Sequence, residues 1–579
     1  MPKNNMTFRI GGQAGQGVES GGAGFAKAFA RGGLHVFGLP DYMSRVRGGH
    51  NFFSVRVAEE PLLGLTADTH LLLALDAKTV EVHRHEIVRG GGIIYNEGTE
   101  VDEAALAERG VQAMPVPLVR IAGEVGNEIM ANTGALAAAA GVVGYDLERI
   151  NSVIRDGFSS KGDKVVDANL EVARRTYAYA QEHYPGFEHT VSPIEGAPQR
   201  MQITGNQAFC MGALMGGCRF VAAYPMTPAT SIIEWMSAHA NQYGVVTKHV
   251  EDEIAAICMA IGANHAGVRG MAATSGGGFA LMVEAFGLAG MTETPLVVYE
   301  AQRPGPATGM PTRTEQADLL FMLHASQGEF LRLIVAPGTV EDMFDAGWRS
   351  FNLAEKYQTP VVVLCDEFLA NATRTIERSQ LGFEGVRIDR GALLSNEDLD
   401  ALTEPFKRYE FTETGVSPRA IPGHPKGIFQ ACSDEHDEYG HFEDEDAENR
   451  VKMVEKRHQK WYTALADMRP PSHYGPEDAD LTLVCWGSTY GACYEAVNRL
   501  NADGGPTANM IHFTDLWPMA EETVRPILER AKRLVDVESN ITGQFAKHLR
   551  TQTGVHIQER VLRYDGRPIT SQYILDHLQ

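Results

Sequence analysis

The chain of 579 residues contains no run of 18 or more apolar residues, so no membrane span is expected. Its start, MPKNNMTFRIGGQ, lacks the apolar core of a signal peptide, and the cytoplasm is the expected location. Cysteine is scarce. There are seven, an odd number, with no CxxC pair, which argues against a disulfide framework and against an iron–sulfur cluster carried by this chain alone. Positive charge is also short, with 51 Lys and Arg against 74 Asp and Glu. The net charge of −23 argues against nucleic acid or an anionic membrane as the main partner. Neither the dinucleotide order GxGxxG nor a P-loop GKS/GKT is found, which counts against an NAD-linked dehydrogenase. No internal repeat of fixed short period is present.

The sequence does hold a repeated alternation of strand and helix signals, the mark of an α/β fold. At ~150 residues per domain the length predicts three or four domains. Residues 1–190 read as a first α/β domain, opening with strand TFRI, the turn GGQAGQG and a helix over 18–31. A Pro- and Gly-rich linker follows, HYPGFEHTVSPIEGAPQRMQ, and a second α/β domain is expected over 200–377. The alternation fails across 378–476, which reads as an irregular excursion ending in a charged helix. A C-terminal α/β domain is expected over 477–579.

The second domain repeats one plan four times. The strand of CRFVAA runs into Tyr224, Pro225 and Thr227; VVTKHV runs into Glu251, Asp252 and Glu253. GMAAT runs into Ser275 and three glycines, and TPLVVYEAQ runs into Arg303 and a Gly/Pro-rich loop. Ligands of open α/β sheets bind beyond the carboxyl ends of the strands. A hydroxyl, a carboxylate, a glycine turn and a guanidinium at four such ends outline an anion-binding catalytic face. Glu253 shares a helical stripe with Ile257 and Ala260, and Glu251 shares an overlapping one, so the wheel does not choose between them. Arg303 is the better carboxylate anchor because its planar fork meets two oxygens at once, while Arg313 reads as its helper or, with more weight, as a surface residue. Gly12, Gly15 and Gly17 lie between a strand and a helix, where backbone N–H groups can hold a phosphate; a plain tight turn explains them equally well. Arg45 and Arg47 of SRVRGGH add basic groups able to meet phosphate or carboxylate. The acidic segment 434–448 fits no metal-ligand spacing and reads as a solvated face or a partner contact.

GNQAFCMGALMGGCRFVAAYPMTPATSIIEW, VEDEIAAICMAIGANHAG, TSGGGFALMVEAFGLAGMTETPLVV and QRPGPATGMPTRTEQADL together resemble the α subunit of 2-oxoacid:ferredoxin oxidoreductases. GGQAGQGVESGG with YMSRVRGGHNFFSVRV resembles that family's γ domain, fused here ahead of α, and EHDEYGH with VKMVEKRHQK extends the likeness. The resemblance implies a γ-type domain, a thiamine-diphosphate pyrimidine-binding domain and a transketolase-C-like domain. It implies oxidative decarboxylation of a 2-oxoacid with coenzyme A, the electrons passing to ferredoxin. It also implies a β subunit that carries the diphosphate and magnesium motifs and a 4Fe–4S cluster, in an (αβ)2 assembly. This chain agrees, having no GDG…N magnesium motif. The γ-type domain is expected to handle coenzyme A. By motif, Glu253 is similar to the glutamate that hydrogen-bonds the aminopyrimidine, Thr227 to the hydroxyl facing the oxoacid, and Arg303 to the arginine that pairs with its carboxylate. Tyr224 and Ser275 are the further cofactor-binding candidates of this domain.

Met226, Gly277 and Ala307 replace the family's usual Ile, Pro and Ser. Met226 is a packing swap; Gly277 is expected to loosen a turn near the cofactor, and Ala307 removes a hydroxyl. A fused γ–α chain most resembles the type acting on 2-oxoglutarate, with pyruvate and branched-chain oxoacids as alternatives. A non-catalytic coenzyme A-binding or assembly subunit is the other reading, and it has no need of Thr227, Glu253 and Arg303 together at strand ends.

Overall fold

A computed structural model describes residues 4–44, 49–502 and 506–578, which form two compact units. The first comprises Met1–Thr204, Asn371–Gln380 and Thr570–Asp576. Its eight-stranded sheet runs in the order Gln112–Val116, Ile87–Asn96, Thr69–Ala74, Met6–Gln13, His50–Ala58, His35–Asp41, Thr373–Ile376 and Met201–Thr204. The first four strands are parallel and the remaining pairings antiparallel. Helix Val18–Arg31 covers the sheet through Phe25 and Phe29, whose rings lie 4.9 and 5.0 Å from that of Phe8. The Ala-rich helix Ala131–Val142 packs closely on Asp163–His183: a Cβ at Gly141 would stand 2.7 Å from the Tyr177 carbonyl. Only glycine allows that approach.

Strands His35–Asp41 and His50–Ala58 carry no clean alternation, because Gly38 and Pro40 interrupt the first, yet the antiparallel ladder forms along both. Met201–Thr204 and Thr373–Ile376, at the two ends of the second expected domain, pair with each other in the first unit's sheet. Each is four residues long, too short to declare its sheet from sequence.

The second unit holds two sheets. Seven strands run in the order Asp515–Trp517, Leu333–Val335, Pro360–Asp366, Leu296–Gln302, Gly270–Thr274, Phe220–Ala223 and Val246–His249, all parallel except the first. The chain leaves Phe220–Ala223 for the edge strand Val246–His249 and then returns to the opposite side of Phe220–Ala223 as Gly270–Thr274. The connection direction therefore reverses between Phe220–Ala223 and Gly270–Thr274, which is where open α/β sheets place their ligands. The five-stranded sheet runs Ser472–Tyr474, Ala508–Phe513, Leu481–Trp486, Leu534–Glu538 and Glu559–Leu562. Strand Asp515–Trp517 crosses from this C-terminal segment to the edge of the larger sheet, against Leu333–Val335. One continuous core, from Ile257 and Phe279 through Ile334 to Trp486 and Phe545, follows from that crossing. The excursion consists mainly of turns and isolated bridges before helix Ala447–Leu465. Among the described residues, no helix is long and apolar enough to cross a membrane.

Candidate active site

Helix Glu253–His265 begins where Asp252 caps it, accepting from the Ala255 N–H at 2.7 Å. Cap geometry turns Glu251 and Asp252 out to solvent and Glu253 inward, 3% exposed. This resolves the helical wheel in favour of Glu253. Its Oε1 is buried and has no hydrogen-bond partner among the described residues. Against it stands Gly278, in the first turn of helix Gly276–Met291, where a Cβ would lie 2.5 Å from Glu253 Oε1. Ser275, the residue before that helix, is fully buried with its hydroxyl likewise unpartnered. Gly277 itself lies within the helix, and a Cβ there would meet nothing closer than 3.6 Å. The turn expected to be loosened at Gly277 is thus a helical turn in which a side chain fits.

The strand end at Tyr224–Thr227 is braced from below. Asn206 donates to the Pro228 carbonyl at 3.1 Å and to Ser231 Oγ at 2.6 Å, and Tyr299 donates to Asn206. Tyr224 is 40% exposed and Thr227 half-buried. Arg303 reaches across from the end of Leu296–Gln302, two strands away in the sheet, its Nη1 donating to the Thr227 carbonyl at 2.7 Å. Thr227 and Arg303 are therefore together, and one of five guanidinium N–H donors is used in joining them. Burial pulls the Arg303 pKa down, opposed by Asp318 and Glu300. Ala307, in the loop beyond, adopts a left-handed φ of 55°, uncommon for a residue with a Cβ.

Sequence reasoning missed the acids behind Arg303. Glu300 pairs in register with Thr274 and is fully buried, and neither of its oxygens has a donor partner among the described residues. Burial, then the nearby Asp318 carboxylate, pushes its pKa well above the usual range. Asp318 is raised to about 6 by burial. Two neighbouring carboxyl groups are compatible only if one holds a proton, and burial favours that proton on Glu300. Asp318 is held by Gln302, whose side-chain oxygen accepts the Asp318 N–H at 3.0 Å, and a Cβ at Gly276 would lie 2.4 Å from Asp318 Oδ2. An acid at the end of VVYEAQ was the available signal; its pairing with a residue eighteen positions on was not readable.

In the first unit the glycine motif divides. Gly12 belongs to strand Met6–Gln13, paired with Asn51, while Gly15 (φ 94°) and Gly17 (φ 74°) form the turn into helix Val18–Arg31. Asn132 donates to the Gln16 carbonyl at 3.3 Å and fixes that turn. Arg45 and Arg47 lie outside the described residues. Nearby, Nε2 of His50 and Nε2 of His83 are 2.7 Å apart, and His83 Nδ1 is 2.6 Å from Glu86. In the acidic segment the charges serve the fold. Glu435 pairs with Arg450 and Arg457, Asp437 holds the turn to His441, and Asp446 caps helix Ala447–Leu465. No group of three or more His, Cys, Asp or Glu suited to a metal occurs among the described residues.

Family models match almost the whole chain in chain order: pyruvate ferredoxin/flavodoxin oxidoreductase over 7–179, its thiamine diP-binding domain over 211–456, and the transketolase C-terminal domain over 474–576. The 2-oxoacid:ferredoxin oxidoreductase subunit alpha of Saccharolobus solfataricus is 32% identical over 97% of this chain and 96% of its own. This chain belongs to the 2-oxoacid:ferredoxin oxidoreductase family as an α subunit. The 2-oxoglutarate oxidoreductase subunit KorA of Mycobacterium tuberculosis is 29% identical over 96% of this chain and 88% of its own. A solved 2-oxoglutarate:ferredoxin oxidoreductase from Magnetococcus marinus, with 2-oxoglutarate, coenzyme A and succinyl-CoA bound, superposes with a TM-score of 0.93 at 32% identity, covering 99% of both chains. The γ-type, thiamine-diphosphate-binding and transketolase-C-like domains of the α subunit are thus all present in one oxidoreductase chain.

Proposed function

We propose that this chain supplies the aminopyrimidine side of the cofactor site in an enzyme that oxidises 2-oxoglutarate. The observation that carries the reading is Glu253 Oε1: buried, unpartnered, and beside the switch point of the sheet. A buried acceptor left so costs ~1–3 kcal/mol, which a ligand N–H offsets on binding. The residues fit the aminopyrimidine half of thiamine diphosphate, with an acceptor at Glu253, a hydroxyl at Ser275 and a surface without a side chain at Gly278. When bound, that cofactor supplies the electron sink for loss of carbon dioxide.

The Glu253 carboxylate would hydrogen-bond the ring nitrogen and favour a proton held on that nitrogen, while Ser275 and Tyr224 border the same strand ends. Arg303, braced on the Thr227 carbonyl, receives the oxoacid carboxylate with its remaining N–H donors, and the Thr227 hydroxyl completes the contact. Diphosphate, magnesium and the 4Fe–4S cluster belong to a β subunit, since this chain has neither GDG…N nor CxxC. An exposed apolar set supports that partner: Val246 on the edge strand, Ile254 and Met259 on one helix and Leu281 on the next are 45–52% exposed. The assembly is (αβ)2, cytoplasmic, and passes electrons to ferredoxin. Gly12, Gly15 and Gly17, with Arg47, serve coenzyme A; the N-terminus of a fourteen-residue helix at Gly17, with no side-chain cap, supports this.

The test is the co-purified α/β complex assayed for viologen-dye reduction with 2-oxoglutarate, pyruvate and branched-chain oxoacids. The highest kcat/KM is expected for 2-oxoglutarate, with none from the α chain alone. A preference for pyruvate would overturn the substrate assignment. Activity without any partner would overturn the two-chain site.

A further inference from the structure

A second buried region of the same unit lies at the far end of helix Glu253–His265. At ~1.5 Å per residue, its thirteen residues put that end roughly 20 Å from Glu253. Five cations share two glutamate carboxylates here, and a sixth lies beside them. Glu355 pairs with Arg269 at 2.7 Å and with Arg390 and Arg419 at 2.6 Å. Glu293 pairs with Lys456 and Lys460, each at 2.5 Å, and Arg408 donates to the Glu293 backbone carbonyl at 2.7 Å. Arg408 has no carboxylate within ion-pairing distance among the described residues, although it is only 2% exposed. It lies instead over the rings of Tyr409 and Phe429, 4.9 and 5.8 Å from their centroids.

Between Arg408 and Arg419 is a cavity of about 10 Å³, lined also by Asn264, His265, Thr292 and Thr294. Arg408 Nη1 and Arg419 Nε are both buried and without a hydrogen-bond partner among the described residues. Arg419 is 5% exposed. Buried N–H donors are ordinarily hydrogen-bonded, and here two are left over: Arg419 already has Glu355 through another nitrogen, whereas Arg408 has no carboxylate at ion-pairing distance among the described residues. The electrostatics agree. The pKa of Arg419 is lowered by burial, with Arg408 and Arg390 acting in the same sense against Glu355, and that of His265 is lowered by burial, Arg408 and Arg419. Every ionisable group that lines the cavity is cationic or becomes so on protonation.

We propose that this cavity is a binding site for a single small monovalent anion of the halide class, held between Arg408 Nη1 and Arg419 Nε. The volume is that of one particle close to water in size, too small for phosphate, sulfate or an oxoacid. The anion is therefore structural rather than a substrate. It joins the end of the helix that begins with Glu253 to the excursion segment that carries Arg408 and Arg419.

Diffraction from crystals of the α/β complex grown in bromide instead of chloride tests this directly. An anomalous peak is expected between Arg408 Nη1 and Arg419 Nε; density without anomalous signal there overturns the proposal in favour of water. Thermal unfolding of the complex at fixed ionic strength, with halide replacing gluconate, is the second measurement. The wild type should gain about 2 °C in a saturable way, by preferential binding to the folded state. Arg408→Met and Arg419→Met should lose that increment. An equal halide response in the wild type and both variants would overturn the site. If neither variant folds, the bromide experiment on the wild type decides alone.

Discussion

Two regions of the second unit treat buried acids in opposite ways. At the strand ends, Glu253 Oε1 and both oxygens of Glu300 lack donors among the described residues. At the far end of the Glu253 helix, Glu355 serves three arginines and Glu293 two lysines. An under-served acid is costly unless a proton or a ligand completes it, so the first arrangement marks chemistry. An over-served acid holds separate segments together: Glu355 joins helix Val340–Tyr357 to Arg390 and Arg419 of the excursion. Removing a carboxylate should therefore disable the first region and unfold the second.

Glu253→Gln should give the largest effect. The amide is nearly isosteric, so melting temperature should hold, while oxoacid-dependent dye reduction by the α/β complex falls at least ~10³-fold, in line with losses on deleting one preorganised group. Hydrogen exchange at the cofactor's thiazolium carbon should slow in parallel. Exchange at the wild-type rate would show that the unpartnered oxygen has no chemical role and would break the contrast at its first term.

Glu293→Gln is the mirror experiment. It leaves Lys456 and Lys460 buried without a counter-charge, which typically costs ~3–5 kcal/mol of stability. Chemical denaturation should show that loss, and whatever folds should keep its kcat. Removing one partner of a pair exposes the uncompensated charge, whereas Glu253→Gln exposes none.

Arg303→Lys sharpens the comparison within the site. Lysine keeps the charge and loses the fork, so kcat/KM for the oxoacid should fall by the ~2–5 kcal/mol typical of truncating one side of a buried charge pair, roughly 30-fold to several-thousand-fold. The apparent KM for coenzyme A should stay unchanged. Near-normal oxoacid efficiency in both Arg303→Lys and Thr227→Ala would move the carboxylate site elsewhere.

How much of this was legible in the sequence follows from how local each feature is. GMAAT and the helix after TFRI were readable because period and punctuation lie within one segment, and the observed Gly270–Thr274 and Val18–Arg31 match them. Glu253 was readable as far as its place at a helix start. The choice over Glu251 needed the Asp252 cap, which sets the inward face. Strand Asp515–Trp517 was not readable as an edge of the larger sheet, since three residues do not specify their partner. Nor was Asp318 beside Glu300, because seventeen intervening residues conceal a proximity made only by the fold.

The smallest effect concerns that acid pair and is read through pH. Asp318 has a folded pKa raised from 3.8 to about 6, and Glu315 is raised from 4.5 to about 7, by burial first in each case. A raised carboxyl binds its proton more tightly in the folded state, so its stabilising contribution is complete below the unfolded pKa and is lost as pH rises through the folded one. Stability should therefore decline between about pH 4 and 7 from these groups. Glu293 and Glu355 have the opposite sign: despite burial, their cationic partners hold both pKa values below the usual range, so their contribution is lost only as pH falls. Asp318→Asn should flatten the decline above pH 4 and leave the acid limb intact. Denaturant titrations from pH 4 to 8 on the wild type and this variant read both limbs. An unchanged slope above pH 4 in Asp318→Asn would remove the shared proton from the strand-end region.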